Sequence, residues 1–217
     1  LVEVERCPIL HPALESSLSR LAAALPPAGR GELWITAANE RVAAWARLDD
    51  RAVELDVDGV TFVPPGEGLP VEDVAGPAFV GPATFAQANP AGNDALLETA
   101  ARWTPRSRLA LELYSGSGNF TRVLEAKVDR VIAAEVDADA VRLAERVRAP
   151  TTSLWRLDAA RAVERARSLR PDLVFADPPR TGLDRAVAER LVQLQPAHLI
   201  YVSCDPGTFA RDVGRFA

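Results

Sequence analysis

The 217-residue sequence has no methionine, a single lysine (Lys127), and two cysteines, Cys7 and Cys204, near opposite ends. Two isolated thiols exclude a disulfide framework and fit a reducing, cytoplasmic location. No apolar run is long enough to cross a bilayer and no signal-peptide pattern opens the chain, so no membrane association is expected. A chain that lacks methionine and opens Leu1-Val2-Glu3 is expected to be a piece of a longer protein. With 25 basic residues against 30 acidic ones, the net charge is -5. That balance argues against a nucleic-acid partner, because phosphate contacts supply much of such affinity. The basic residues are almost all arginine, however, which pairs with phosphate bidentately and stacks on bases. A basic segment outside the chain would also reconcile the acidity with such a partner.

The hydrophobic fraction of 48% and charged fraction of 25% are those of an ordinary globular protein. Leu14, Leu18, Leu21 and Leu25 fall at helical spacing, and Pro26-Pro27 ends the run. Strand-like stretches follow at 32–36, 42–47, 52–57 and 60–63, with turn candidates at Asp49-Asp50 and Asp58-Gly59, and read as a small antiparallel sheet. The run from Pro64 to Gly68 is a candidate linker.

From Pro82 onward helices and strands alternate: helices at 91–103, 120–126, 138–147, 159–168 and 185–194, strands at 109–113, 131–135, 154–157, 173–176 and 198–203. Such alternation predicts an α/β fold with a doubly wound, mostly parallel sheet, preceded by a small α+β segment. The expected division is 1–80 and 81–217, the second unit truncated at its C-terminus. In sheets of this kind ligands collect beyond the carboxyl ends of the strands.

The chemistry-bearing residues sit at those ends. The run Tyr114-Ser115-Gly116-Ser117-Gly118-Asn119 follows a strand and opens a helix, where glycines let backbone approach a ligand. Glu135 ends the next strand, where a carboxylate can accept from two ribose hydroxyls, and Asp158 follows the third, where it can accept from an adenine amino group. The missing third glycine favours a nucleoside cofactor without a pyrophosphate. Asp177-Pro178-Pro179-Arg180 ends the fourth strand on a proline-stiffened loop. In amino-methyltransferases an Asp/Asn-Pro-Pro-aromatic turn accepts from the target amine, but the fourth residue here is Arg180. Cys204 ends the fifth strand: it is either a small apolar residue in the interior or a thiolate nucleophile facing the ligand crevice. Phe85 can stack on a base and Gln87 can bond to a cofactor.

Together these segments resemble the uracil-C5 RNA methyltransferases of bacterial transfer and ribosomal RNA. The resemblance runs from Phe85 to Asp212, through Phe-x-Gln-x-Asn (Phe85–Asn89), Leu-Tyr-Ser-Gly-x-Gly-Asn-Phe (Leu113–Phe120), Glu135, Asp-Pro-Pro-Arg-x-Gly (Asp177–Gly182) and Ser-Cys-x-Pro-x-Thr-x-Ala-Arg-Asp (Ser203–Asp212). It implies a class I, Rossmann-like fold that binds S-adenosylmethionine and acts on RNA. Gln87, Tyr114, Gly116, Gly118, Asn119, Glu135, Asp158 and Asp177 become the candidate cofactor contacts, and Cys204 the nucleophile, with Asp177 beside it. Phe85, Arg180, Thr208 and Arg211 become the candidate substrate contacts. The family's proton-abstracting glutamate is expected beyond Ala217. Cys7-Pro8-Ile9-Leu10 resembles the last of four cysteines that hold a 4Fe-4S cluster in ribosomal-RNA members, whose other ligands would lie upstream; this leans toward ribosomal RNA over transfer RNA. Two other functions stay open at this point: an amino-methyltransferase working through Asp177-Pro178-Pro179, and a non-catalytic module that binds cofactor or RNA.

Overall fold

The computed structural model describes residues 10–26 and 30–216. Helix α1 (Pro12–Ala24) begins behind His11, whose Nδ1 accepts from the Ala13 N–H. It packs on a four-stranded sheet of β1 (Gly31–Ala38), β2 (Arg41–Leu48), β3 (Arg51–Val53) and β4 (Val60–Phe62). The β1–β2 and β2–β3 turns use Asn39-Glu40 and Asp49-Asp50, all at positive φ, as a tight two-residue hairpin requires. The sheet is not purely antiparallel as expected: β4 joins β2 in parallel, returning beside it after a turn at Asp58-Gly59.

Residues 64–68, expected as a linker, close a turn through the Glu67 N–H and the Pro64 carbonyl. A hairpin that the sequence reading missed follows, β5 (Leu69–Asp73) and β6 (Gly76–Val80). Leu69 joins Ala38 and Ala43 of the four-stranded sheet in one apolar cluster.

The remaining elements are α2 (Pro90–Trp103), β7 (Ser107–Leu113), α3 (Thr121–Glu125), β8 (Val128–Glu135), α4 (Ala138–Glu145), β9 (Thr152–Arg156), α5 (Ala159–Ala166), β10 (Leu173–Ala176), α6 (Arg185–Leu194), β11 (His198–Tyr201) and α7 (Pro206–Val213). The five strands form one parallel sheet in the order β11-β10-β7-β8-β9. Leu109, Leu111 and Leu113 of β7 point to a core shared with α5 and α6; Ala110 points to the other core, shared with α2 and α3. Burial on both faces explains the unbroken apolar runs Val131–Ala134 of β8 and Leu173–Ala176 of β10. The expected doubly wound parallel sheet is therefore observed. Chain direction across the sheet reverses between β7 and β10, so the crevice forms beside the glycine turn that follows β7. Among the described residues no helix is long and apolar enough to cross a membrane.

Candidate functional site

Along the C-terminal edge of the parallel sheet stand, strand by strand, Cys204 after β11, Asp177 after β10, the glycine turn after β7, Glu135 at the end of β8 and Asp158 after β9. At about 4.8 Å per strand the row spans roughly 19 Å. The ladder continues past the strands here, since the Val202 N–H donates to the Ala176 carbonyl at 2.9 Å and the Ser115 N–H to Ala134 at 3.1 Å.

The glycine turn has the conformation its sequence dictates. Gly116 and Gly118 lie at φ 55° and 93°, and Tyr114 is held at φ 61°, a strained value for a side-chain-bearing residue. The Tyr114 ring packs against the leucine-rich core, and burial, with nearby Asp184, Asp212, Asp158 and Glu135, pushes its hydroxyl up to about 12. One Glu135 oxygen accepts from the Gly116 N–H at 2.9 Å; the other accepts from Val136 and Asp137 at 2.7 and 2.8 Å. Glu135 thus binds the turn to β8. Asn119 makes a reciprocal amide pair with Asn93 of α2, at 2.8 and 3.2 Å. Asp158 caps α5 by accepting from the Arg161 N–H at 2.9 Å.

The turn fits a nucleoside cofactor on three observations. Among the described residues the buried Ser115 hydroxyl has no hydrogen-bond partner, nothing beyond its chain neighbours lies within 4 Å of where a Gly116 Cβ would be, and the half-buried Asp177 carboxylate accepts no hydrogen bond. Burial pushes Asp177 up to about 6. Gln87 is half-buried and Phe85 is 77% exposed, on the segment that leads into α2 behind the Asn89 cap.

Cys204 is exposed, in the short link between β11 and α7. That excludes the interior alternative. Ser203 Oγ stiffens the link by donating to the Asp205 carbonyl and accepting from the Asp205 N–H. Asp205 caps α7 through the Thr208 N–H at 2.7 Å, and Pro206 occupies the first helical turn. This Asp-Pro start signals a helix that the sequence reading missed. Thr208 turns its hydroxyl to the Asp205 carbonyl. Arg211 donates to Asp212 and to the Thr181 carbonyl, and Arg180 is exposed. Cys7 lies outside the described residues.

Two carboxylates at the site were given no role in the sequence reading. Glu112, one residue before the end of β7, is 1% exposed; Thr121 donates to it at 2.5 Å, and burial above all raises its carboxyl to about 8. Asp212, fully buried, joins α7 to the loop that follows Asp177. Two open surface grooves, of about 500 Å³ along β9 and about 900 Å³ beside Arg167 and Gln195, contain none of the candidate residues.

The family described as tRNA (Uracil-5-)-methyltransferase matches residues 67–216. A 23S rRNA (uracil(747)-C(5))-methyltransferase, RlmC, of Vibrio vulnificus is 33% identical over 143 residues, covering 63% of this chain and 38% of its own length. The 23S rRNA (uracil(747)-C(5))-methyltransferase of Pyrococcus abyssi is 31% identical over 189 residues, covering 87% of this chain and 45% of its own. The chain thus spans less than half the length of these curated relatives. Among solved structures, a Pyrococcus abyssi tRNA (uracil-54, C5)-methyltransferase in complex with S-adenosyl-L-homocysteine superposes with a TM-score of 0.71 at 19% identity, over 99% of this chain and 63% of that one.

Proposed function

Because the chain belongs to the tRNA (uracil-5-)-methyltransferase family, we propose that it carries the catalytic core of an enzyme that transfers a methyl group from S-adenosylmethionine to carbon 5 of a uridine in RNA, with Cys204 as covalent nucleophile. The observation that carries this reading is the exposed Cys204 thiol on the same strand-end row as Asp177 and the glycine turn. The cofactor supplies an electrophilic methyl group when bound. Glu135 and Asp158 would hold its ribose and adenine, and Gln87, Tyr114 and Asp177 the remainder, while Asn119, paired with Asn93, shapes the turn.

Carbon 5 of uracil is a poor nucleophile. The Cys204 thiolate adds to carbon 6, and the electron pair of the 5,6 double bond moves onto the carbonyl to give an enolate. Carbon 5 then attacks the methyl group as its bond to the sulfonium sulfur breaks, with S-adenosylhomocysteine as the leaving group. A general base takes the carbon-5 proton, and the double bond re-forms as the thiolate leaves. A uridine in folded RNA must first be turned out of its stack, and the exposed Phe85 ring offers a surface to receive it. Ribosomal RNA is the favoured substrate: both curated relatives described above are named for 23S rRNA, and Cys7-Pro8-Ile9-Leu10 resembles the ribosomal-RNA members.

The test is a trap. An RNA carrying 5-fluorouridine has no carbon-5 proton to lose, so the full-length protein should remain bonded to it in denaturing gels, with the cross-linked peptide containing Cys204. Cys204→Ala should abolish both adduct and methylation. An undiminished adduct in that variant would sink the mechanism, and unchanged turnover without an adduct would point to amino-group methylation through Asp177.

A further inference from the structure

Arg122 lies in α3, one turn beyond the glycine loop, between the buried apolar residues Val123 and Leu124 and the buried Thr121. Its side chain is only 6% exposed. All five guanidinium donors are used. Nη1 donates to Asp73 Oδ1 at 2.6 Å and to the Gly76 carbonyl at 2.7 Å. Nη2 donates to Asp73 Oδ2 at 2.8 Å and to Asn119 Oδ1 at 3.4 Å, and Nε to the Gly118 carbonyl at 3.3 Å. Three of these bonds reach the β5–β6 hairpin, and two reach the glycine turn.

Stability alone does not account for a guanidinium here. A buried ion pair roughly breaks even against apolar replacements of similar size. What the planar fork supplies is direction: it fixes several acceptors at once in one plane. Its acceptors on the turn are the carbonyl of Gly118, at φ 93°, and the amide of Asn119, itself paired with Asn93 on α2. Glycines leave such a turn many conformations, and a ligand that selects one loses affinity to the ordering. Arg122 removes that freedom beforehand, and Asp73 holds Arg122.

We propose that the Asp73–Arg122 pair is a positioning element of the cofactor site, through which the β5–β6 hairpin presets the glycine turn and raises affinity for the nucleoside cofactor. This rests on the assignment of that turn to S-adenosylmethionine. The hairpin, which shares an apolar cluster with the four-stranded sheet, thereby becomes part of the cofactor site although it lies outside the parallel sheet.

The experiment is calorimetric titration of S-adenosylhomocysteine into the full-length protein and into the double variant Asp73→Leu/Arg122→Met. Removing both charges leaves neither one buried alone, so melting should move by no more than a few degrees. Kd should rise about tenfold or more as the turn loses its preset shape. The cofactor KM should rise in step, with kcat falling by less, and Arg122→Lys, which keeps the charge but not the fork, should not restore affinity. If the double variant fails to fold, Asp73→Asn is read by the same titration below its melting range. A Kd that stays within about twofold of wild type in the folded variants overturns the proposal. Wild-type protein that binds no S-adenosylhomocysteine overturns the cofactor assignment itself, so the two failures are distinguishable.

Discussion

Gly182 lies so close to Asp212 that a Cβ at position 182 would collide with Oδ2 of the carboxylate and with the Arg211 guanidinium. The same oxygen accepts from the Leu183 N–H and from the Tyr201 hydroxyl, each at 2.8 Å. One buried oxygen therefore joins three pieces of chain: the loop that leaves Asp177, strand β11 leading to Cys204, and helix α7 that follows it.

Gly182→Ala is expected to break that junction. The backbone there has φ 74°, which strains any side-chain-bearing residue, and the added methyl group would meet the carboxylate. The expected loss of stability is about 1–3 kcal/mol by urea unfolding, with methylation by the full-length protein falling further than the folded fraction does. Unchanged stability would show that the loop relaxes without cost.

Asp212→Asn should cost more than a surface charge does. The carboxylate side chain is 0% exposed and faces the guanidiniums of Arg211 and Arg215, which are 43% and 34% exposed. Their exposure weakens the pairing, so the expected loss is about 2–3 kcal/mol, below the figure for a fully buried pair. Burial pushes this carboxyl up, but bonds from Leu183, Tyr201 and Arg211 outweigh it and hold the group below its ordinary value of 3.8. Its contribution is therefore present above that value and lost as pH falls through the lower folded one. An Asn variant as stable as wild type at pH 7 would refute the role.

The parallel sheet was legible because its central strands β7, β8 and β10 carry buried apolar runs and its strands alternate with helices. The strand-end row was legible for the same reason, since position at a strand end follows once the strands are placed. The β5–β6 hairpin was not legible. Leu69-Pro70-Val71-Glu72-Asp73 carries one proline and two charges, which suit an edge strand but give little periodic signal. Arg122 and Glu112 interrupt short apolar runs, and nothing local marks them as buried. Their burial depends on Asp73 and Thr121, partners fixed only by the tertiary fold. Asn119 and Arg211, expected at ligands, have their side chains engaged by Asn93 and by Asp212 and Thr181, contacts that no local pattern announces.

The Asp177 carboxyl should make cofactor binding depend on pH. Burial raises it to about 6, so it is ionised above that value and protonated below it. If it accepts from a donor on the cofactor, S-adenosylhomocysteine should bind more tightly as pH rises through about 6 and then level off. Measuring Kd rather than turnover keeps the Cys204 thiol out of the readout. Asp177→Asn should bind about tenfold more weakly at pH 8, because a charged hydrogen bond is lost, and should show no step near pH 6. A step that survives in the variant would assign the titration elsewhere.

Glu112 should impose a pH dependence of opposite sense on stability. Its carboxyl rises from an ordinary 4.5 to about 8 in the folded protein, first because it is buried, and further because Glu125, Asp177 and Glu135 are near; the Thr121 hydroxyl acts against the rise. Between those values the folded state holds a proton that the unfolded chain has released. Stability therefore falls as pH climbs from 4.5 to about 8, with no further contribution from this group beyond either end. The full span is on the order of 3 kcal/mol after allowance for relaxation of the site. Glu112→Gln keeps the shape and an acceptor for Thr121 but cannot ionise, so its unfolding free energy should decline less over that range, leaving the variant relatively more stable at pH 8 than at pH 5. Urea denaturation of both proteins at the two pH values isolates the effect, since every other titrating group is common to them. Parallel pH profiles would mean that Glu112 is ionised in the fold, compensated by a neighbour other than Thr121.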